Sequence, residues 1–351
     1  MYESRFGNRP SQDSQENKDQ GITLNFYDVA FLRQFVVPDN CCLIGDYHFV
    51  RGDFVLLAGP PGVGKSRAAV AAAVCGASLY PWFGLKVHQK FRTLIIQNEN
   101  GILRLHMEIE QIGTCIDEYL LILEPPECGL AFWDPAFRSA VAKAIAAFKP
   151  LLIIIDPWNG VAEGDKQRDV AAAFRHIRAL IPQSIQQPCV LVVAHTRKPR
   201  LDERASGRAL LNNVVGSYML GSVPRSVFVM QHASDDVDEE RVVMTCCKNN
   251  NGLLGARSAW KRNGGGVFDE LCGFEWSKFD SAGRASSETW REVPLILTEI
   301  GRVPKSVLAE ELVKRYRIKK SAAYNWIQKA GAACLIKFDT ATQTYYVPGR
   351  N

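Results

Sequence analysis

The residues best placed to do chemistry are eight consecutive ones, GPPGVGKS at 59–66. They fit the spacing G-x-x-x-x-G-K-[ST]. An apolar run, DFVLLAG (53–59), precedes them and reads as a buried strand. An Ala-rich, proline-free run, SRAAVAAAVCGA (66–77), follows and reads as a helix. Gly59, Gly62 and Gly64 let the backbone curl until successive N–H groups face an anion. Pro60, Pro61, Val63 and Arg67 complete the cradle, and the helix start adds unpaired donors and a favourable field. Lys65 is expected to reach the β and γ phosphates of a nucleotide, and the Ser66 hydroxyl to ligate Mg²⁺. The chemistry implied is binding of ATP with Mg²⁺.

Acidic and imidazole side chains at strand ends supply the rest of the expected site. LLIIID (151–156) sets Asp156 at the exposed end of a buried strand, where a carboxylate can hold Mg²⁺ through water. Pro157 and Trp158 follow, so a catalytic base must come from elsewhere. Glu99 ends RTLIIQNE (92–99) and is expected to lie beside the phosphate loop and to orient or deprotonate the attacking water; Glu124, after LLIL, is the rival. His195 ends CVLVVAH (189–195) and is placed to sense the γ phosphate. A long loop follows. Its Arg197, Lys198, Arg200, Arg204 and Arg208 are expected to neutralise nucleic-acid phosphates.

These side chains need strands and helices to hold them. Near-continuous apolar runs separated by helical spacing at 66–77, 137–148 and 168–180 predict an α/β fold with a mostly parallel central sheet. RSVFVMQ (225–231) and RVVMTCCK (241–248) read as an antiparallel hairpin extending that sheet. The expected organisation is a polar tail at 1–20, an ATPase domain at 21–262, a Gly- and Ser-rich linker at 263–289 and a small module at 290–351. That module reads helix, helix (305–316), turn, helix (321–332, capped by Ser321) and two short strands, the order of a winged helix-turn-helix. From Arg291 onward eleven Lys and Arg face five Asp and Glu, a local +6 against −1 for the rest. Basic character on a small module points to nucleic acid, with Lys319 and Lys320 as candidate contacts.

Composition excludes several classes. With 47% hydrophobic and 23% charged residues the chain is neither fully disordered, collagen-like nor a disulfide-stapled miniprotein. No run of 18 apolar residues is present, so no membrane partner is expected. The ten cysteines make no CxxC pair. With no export signal in the first twenty residues, the expected compartment is the reducing cytoplasm.

Together the motifs resemble the RecA-like core ATPases, in particular the plasmid and phage replicative helicases of the small hexameric RepA type, and the helicase domain of DnaB-type enzymes. The resemblance covers roughly residues 25–260. It rests on FVRGDFVLLAGPPGVGKS, the PWFG-K segment, the placement of Glu99, the strand ending in His195 and RVVMTCCKNNNG. It implies a RecA-like sheet and a homo-oligomer, a hexameric ring, with ATP between subunits. It also implies Glu99 as catalytic carboxylate, His195 as phosphate sensor and a channel-lining loop after it. A late basic pair in the family reaches into the neighbouring subunit's site. Lys248 matches its first member, but Asn250 stands at the second, where Arg is usual. Arg225 resembles an arginine of the RepA-like branch and is the expected trans-acting finger. The function implied is an ATP-hydrolysing motor on DNA, a replicative-type helicase or loader of a mobile element. Single strands would occupy the channel, duplex DNA the C-terminal module, and replication proteins would be partners. An ATP-dependent DNA-binding switch with little turnover is the alternative that Asn250 favours.

Overall fold

The apolar runs become the central strands, because a strand buried on both faces has no solvent side to make polar. β3 (Phe54–Gly59), β4 (Thr93–Gln97) and β6 (Leu152–Asp156) are buried throughout, and β7 (Cys189–His195) is buried up to its last residue. The structure, a computed structural model, describes residues 26–112, 116–164, 166–197, 205–216, 218–234, 236, 239–263, 267–280, 289–316 and 318–348. With β5 (Leu120–Ile122), β8 (Ser226–His232), β9 (Arg241–Asn249), β10 (Ser258–Arg262) and β11 (Phe268–Glu270), these strands form one sheet ordered β11-β10-β9-β8-β3-β7-β6-β4-β5. From β5 to β8 every pairing is parallel, and from β8 to β11 every pairing is antiparallel. β1 (Cys42–Ile44) and β2 (Phe49–Val50) make a separate antiparallel pair.

Strand period two splits β3 between two cores. Val55 and Leu57 pack with Ala68 and Ala72 of helix α2 (Lys65–Ser78) on one face. Phe54, Leu56 and Ala58 pack on the other with Val141 of α4 (Pro135–Phe148) and with Phe174 and Ile177 of α5 (Gln167–Leu180). α2 comes very close to its neighbours. A Cβ on Gly76 would lie 2.2 Å from the buried Phe91 ring. α3 (Ile102–Ile112) follows β4, and the short α6 (Tyr218–Ser222) precedes β8.

Contacts divide the chain into Met1–Pro38 and Asp39–Asn351. The first unit contains helix α1 (Val29–Gln34), capped by Asp28, with Tyr27 stacked on its Phe31; no residue of the helix is buried. The stretch 263–289, expected as a linker, supplies β11, and its Leu271, Phe274, Trp276 and Phe279 pack with Val243 and Ala259. Glycine and serine gather toward the two ends of that stretch, but the apolar and aromatic residues between them decide the outcome.

The C-terminal region has its own core. Val293 and Ile296 of helix Val293–Ile300 pack with Leu308 and Leu312 of helix Lys305–Tyr316 and Ile327 and Ala330 of helix Lys320–Ala332. β12 (Lys337–Asp339) and β13 (Thr344–Tyr346) form an antiparallel ribbon after them. The third helix begins at Lys320 with Lys319 at its cap, so Ser321 lies inside the helix and does not cap it. Among the described residues no helix is long and apolar enough to cross a membrane.

Candidate active site

The phosphate loop forms where β3 ends between two parallel neighbours, β7 and β8. Gly62 (φ 77°) and Gly64 (φ 96°) take left-handed backbone, which side-chain-bearing residues resist. Gly59 answers a different demand. A Cβ there would meet Val63 Cγ1 at 2.9 Å and the Met230 carbonyl at 3.0 Å. Val63 is fully buried beneath the loop and Gly64 caps α2 without a side chain, so the first amides of the helix have no side-chain acceptor at the cap. A helix start in that state suits an anion.

Lys65 is 7% exposed. Its Nζ donates to the Pro60 carbonyl at 2.9 Å and to His195 Nδ1 at 3.2 Å. Burial lowers its pKa to about 8, against the opposing pull of Asp156 and Glu99. Because the ammonium donates, His195 Nδ1 accepts, and the ring proton sits on Nε2. Burial and then the Lys65 charge hold the His195 pKa below its usual value, which keeps that ring neutral. β7 brings His195 level with Gly59.

The Asp156 carboxylate is raised to about 6, by burial first and then by Glu99 and Glu108, while the Ser66 hydroxyl bonded to it and Lys65 act the other way. A hydroxyl and a buried carboxylate meeting at one point are hard oxygen donors, and the raised pKa marks a carboxylate short of counter-charge. That donor set fits Mg²⁺. Glu108, on α3, is a residue that sequence reasoning missed. It is buried, and among the described residues its Oε1 has no hydrogen-bond partner.

β4 does not adjoin the phosphate-loop strand as expected; β6 and β7 lie between them. Glu99 still joins the site, because its charge acts on Lys65, Asp156 and His195, whereas Glu124 acts on none of these. A buried amide sets the turn that carries it. Gln97, level with Asp156, accepts from the Glu99 and Asn100 amides at 3.0 and 2.7 Å and donates to the Leu123 and Asn100 carbonyls. A Gln interrupting an apolar strand was the available sequence signal. Trp158, two residues after Asp156, is a core residue stacked on Phe174.

Two arginines tie the antiparallel extension to the loop. Arg262 of β10 donates to the Gly62 carbonyl at 2.8 Å, and Arg67 donates to the Asn263 carbonyl at 3.0 Å. No local pattern in SAWKR distinguishes Arg262 beforehand.

The basic residues fare unequally. Lys248 donates to the Gly221, Ser222 and Pro224 carbonyls at 2.7–3.1 Å. Its three protons are occupied in fastening the end of α6. Asn249 and Asn251 are likewise bound, donating to the Asp46 carbonyl and the Asp53 carboxylate. Arg225 is exposed, and its backbone joins Phe54 and Asn250. Arg197 bonds Asn213 at 2.9 Å, closing the base of the loop after His195. Arg208 is exposed on the turn Gly207–Asn213, while Lys198, Arg200 and Arg204 lie outside the described residues. Lys320 leans toward Glu310 at 3.6 Å, and Lys319 is exposed.

With this geometry in view, residues 27–200 match the AAA domain family. The chain carries an AAA-type P-loop ATPase domain. No curated protein matches the sequence. Among solved structures, a KaiC-like protein of the hyperthermophilic archaeon Pyrococcus horikoshii is similar at 13% identity with a TM-score of 0.45, over 64% of this chain and 91% of that one. The core is a P-loop NTPase fold with a mixed sheet, followed by a distinct C-terminal helical region. The domain hydrolyses ATP with Mg²⁺ as cofactor. Ser66 and Asp156 would hold Mg²⁺, which would supply positive charge against the phosphates. A bound polyphosphate would meet the Lys65 ammonium and the Gly62–Ser66 amides, and Glu99 would be the carboxylate to orient water.

Proposed function

We propose that this ATPase is a DNA-associated motor of the RepA/DnaB-like branch, a replicative-type helicase or loader, working as a homo-oligomeric ring in the cytoplasm. The observation carrying this reading is the Lys65–His195 contact of 3.2 Å at the foot of the basic loop. A γ phosphate competing for the Lys65 ammonium releases His195. The backbone after His195 is tied to the loop base, with Thr196 bridged to Val214 and Val215 donating to the His195 carbonyl. Nucleotide state is thereby linked to a loop bearing Arg197, Lys198, Arg200, Arg204 and Arg208, whose cations suit a strand of phosphates. The finer division of the chain belongs to the same proposal: an ATPase domain and a winged-helix module beyond about residue 290. The bridge of Val303 with Tyr345, which joins the start of the second helix to the ribbon, supports that module.

Steady-state ATP hydrolysis with no DNA, single-stranded DNA and duplex DNA tests the reading, with Lys65→Ala as the blank. Strong stimulation by single strands is the expected result. Hydrolysis indifferent to DNA sinks the motor. A second reading, an ATP-dependent DNA-binding switch with slow turnover, is favoured by the locked Lys248 and by Asn250 at the usual Arg position. It predicts tight duplex binding with negligible turnover.

A further inference from the structure

Helix Lys320–Ala332 buries Ala323, Ile327 and Ala330, which fixes the direction of its opposite face. Ser321, Asn325 and Gln328 lie exposed there, at spacings of four and three that align them along the helix. Among the described residues these three side chains make no hydrogen bond. The helix contains no Asp or Glu, whereas the preceding helix has Glu310 and Glu311. Lys319 stands at its start and Lys329 near its end, both exposed and, among the described residues, without a carboxylate partner.

The carboxylates of the region are all engaged internally. Glu292 accepts from the Tyr316 hydroxyl, Glu299 and Glu311 share Arg315, Glu310 faces Lys320 and Asp339 faces Arg302. The local excess of positive charge is therefore left on cations such as Lys319 and Lys329. No large apolar side chain is exposed on this face; the exposed ones of the region, Leu295, Val307, Leu335 and Phe338, belong to other elements. A protein partner or a lipid surface would need such anchors. Neutral amides and a hydroxyl between two lysines suit base edges flanked by phosphates. A duplex of DNA admits a helix in its major groove, and that of RNA does not.

We propose that helix Lys320–Ala332 reads duplex DNA in the major groove, with Asn325, Gln328 and Ser321 at base edges and Lys319 and Lys329 on flanking phosphates. This rests on the reading of the chain as DNA-associated but not on a motor. Asn and Gln pair with adenine through its N6 and N7 edge, so the bound site should contain adenine.

The test is selection of duplexes from a random pool by the full chain, then anisotropy titrations on the selected and a scrambled duplex. Asn325→Ala combined with Gln328→Ala should cut the preference for the selected duplex by about 10–100-fold and leave scrambled binding intact. Lys319→Ala combined with Lys329→Ala should weaken both duplexes alike and reduce the salt slope by about 0.9 per lysine. All four positions are exposed, so an unchanged melting temperature certifies the fold. No enriched sequence, or variants that bind both duplexes as the parent does, overturns the proposal. ATP hydrolysis stimulated by single strands, without duplex selection, would leave the motor standing and this proposal refuted. Selection without stimulation would do the reverse.

Discussion

At the residue scale, the candidate site is a set of charges whose protonation depends on burial. Lys65 has a pKa of about 8 before nucleotide binds, and a polyphosphate must raise it. Below pH 8 the ammonium is already formed. Above it, binding has to take up a proton, so ATP affinity should fall by about tenfold per pH unit. Titration with a fluorescent nucleotide between pH 7 and 9.5 at fixed ionic strength checks this; a flat profile would mean the ammonium is better solvated than its 7% exposure implies. Glu99→Gln separates binding from chemistry. It should leave ATP affinity near that of the parent and lower kcat by about 10²–10⁴-fold. Equal loss with Glu124→Gln would undo the assignment. The sequence made Lys65, Ser66 and Asp156 legible because contiguous motifs carry them. Glu108 and Arg262 were illegible because only the tertiary fold brings them to the site. The surroundings of Lys248 were illegible because a motif position says nothing of the carbonyls that meet its ammonium.

At the element scale, the strands were legible as apolar runs, and their order was not. A strand records how deeply it is buried but not which strand lies beside it, so Glu99 was expected next to the phosphate loop when two strands intervene. What brings it to the site is the turn after β4, held by the four hydrogen bonds of Gln97. Gln97→Leu keeps the bulk and removes the bonds. The turn should shift, with kcat falling by about 10²-fold and KM little changed, as expected when a reacting group is displaced by about 1 Å. A rise in KM alone would show that the turn binds nucleotide and does not position Glu99. α2 offers a stability test. Gly76→Ala improves helix propensity by about 1 kcal/mol, yet its new methyl meets the Phe91 ring. Overpacking of that kind costs about 1–3 kcal/mol, so the net change should be destabilising and the thermal midpoint should drop. A higher midpoint would mean that α2 has room to move away. The short β1, β2 and β11 escaped sequence reading because two or three residues cannot display a period.

At the scale of the whole molecule, the sheet separates Arg225 from its own phosphate loop. The Arg225 amide bonds the carbonyl of Phe54, where β3 begins, and the loop follows Gly59, where β3 ends. Five residue steps at about 3.3 Å put roughly 16 Å between them. An arginine finger at Arg225 therefore has to serve a neighbouring subunit, and one end of the sheet must meet the opposite end of the next. Such head-to-tail contact is heterologous, and it closes into a ring or continues as a filament. Arg225→Ala should bind ATP as the parent does and lose hydrolysis by about 10³-fold or more. Lys65→Ala should be inactive for the complementary reason, since it keeps the finger and loses the site. Mixed together, the two inactive proteins should regain hydrolysis, because an intact site in one subunit can face an intact finger in the next. A finger acting within one chain can never be restored by mixing. Absence of recovery in co-assembled oligomers, their mixing verified by differently tagged subunits, would remove Arg225 from the reaction.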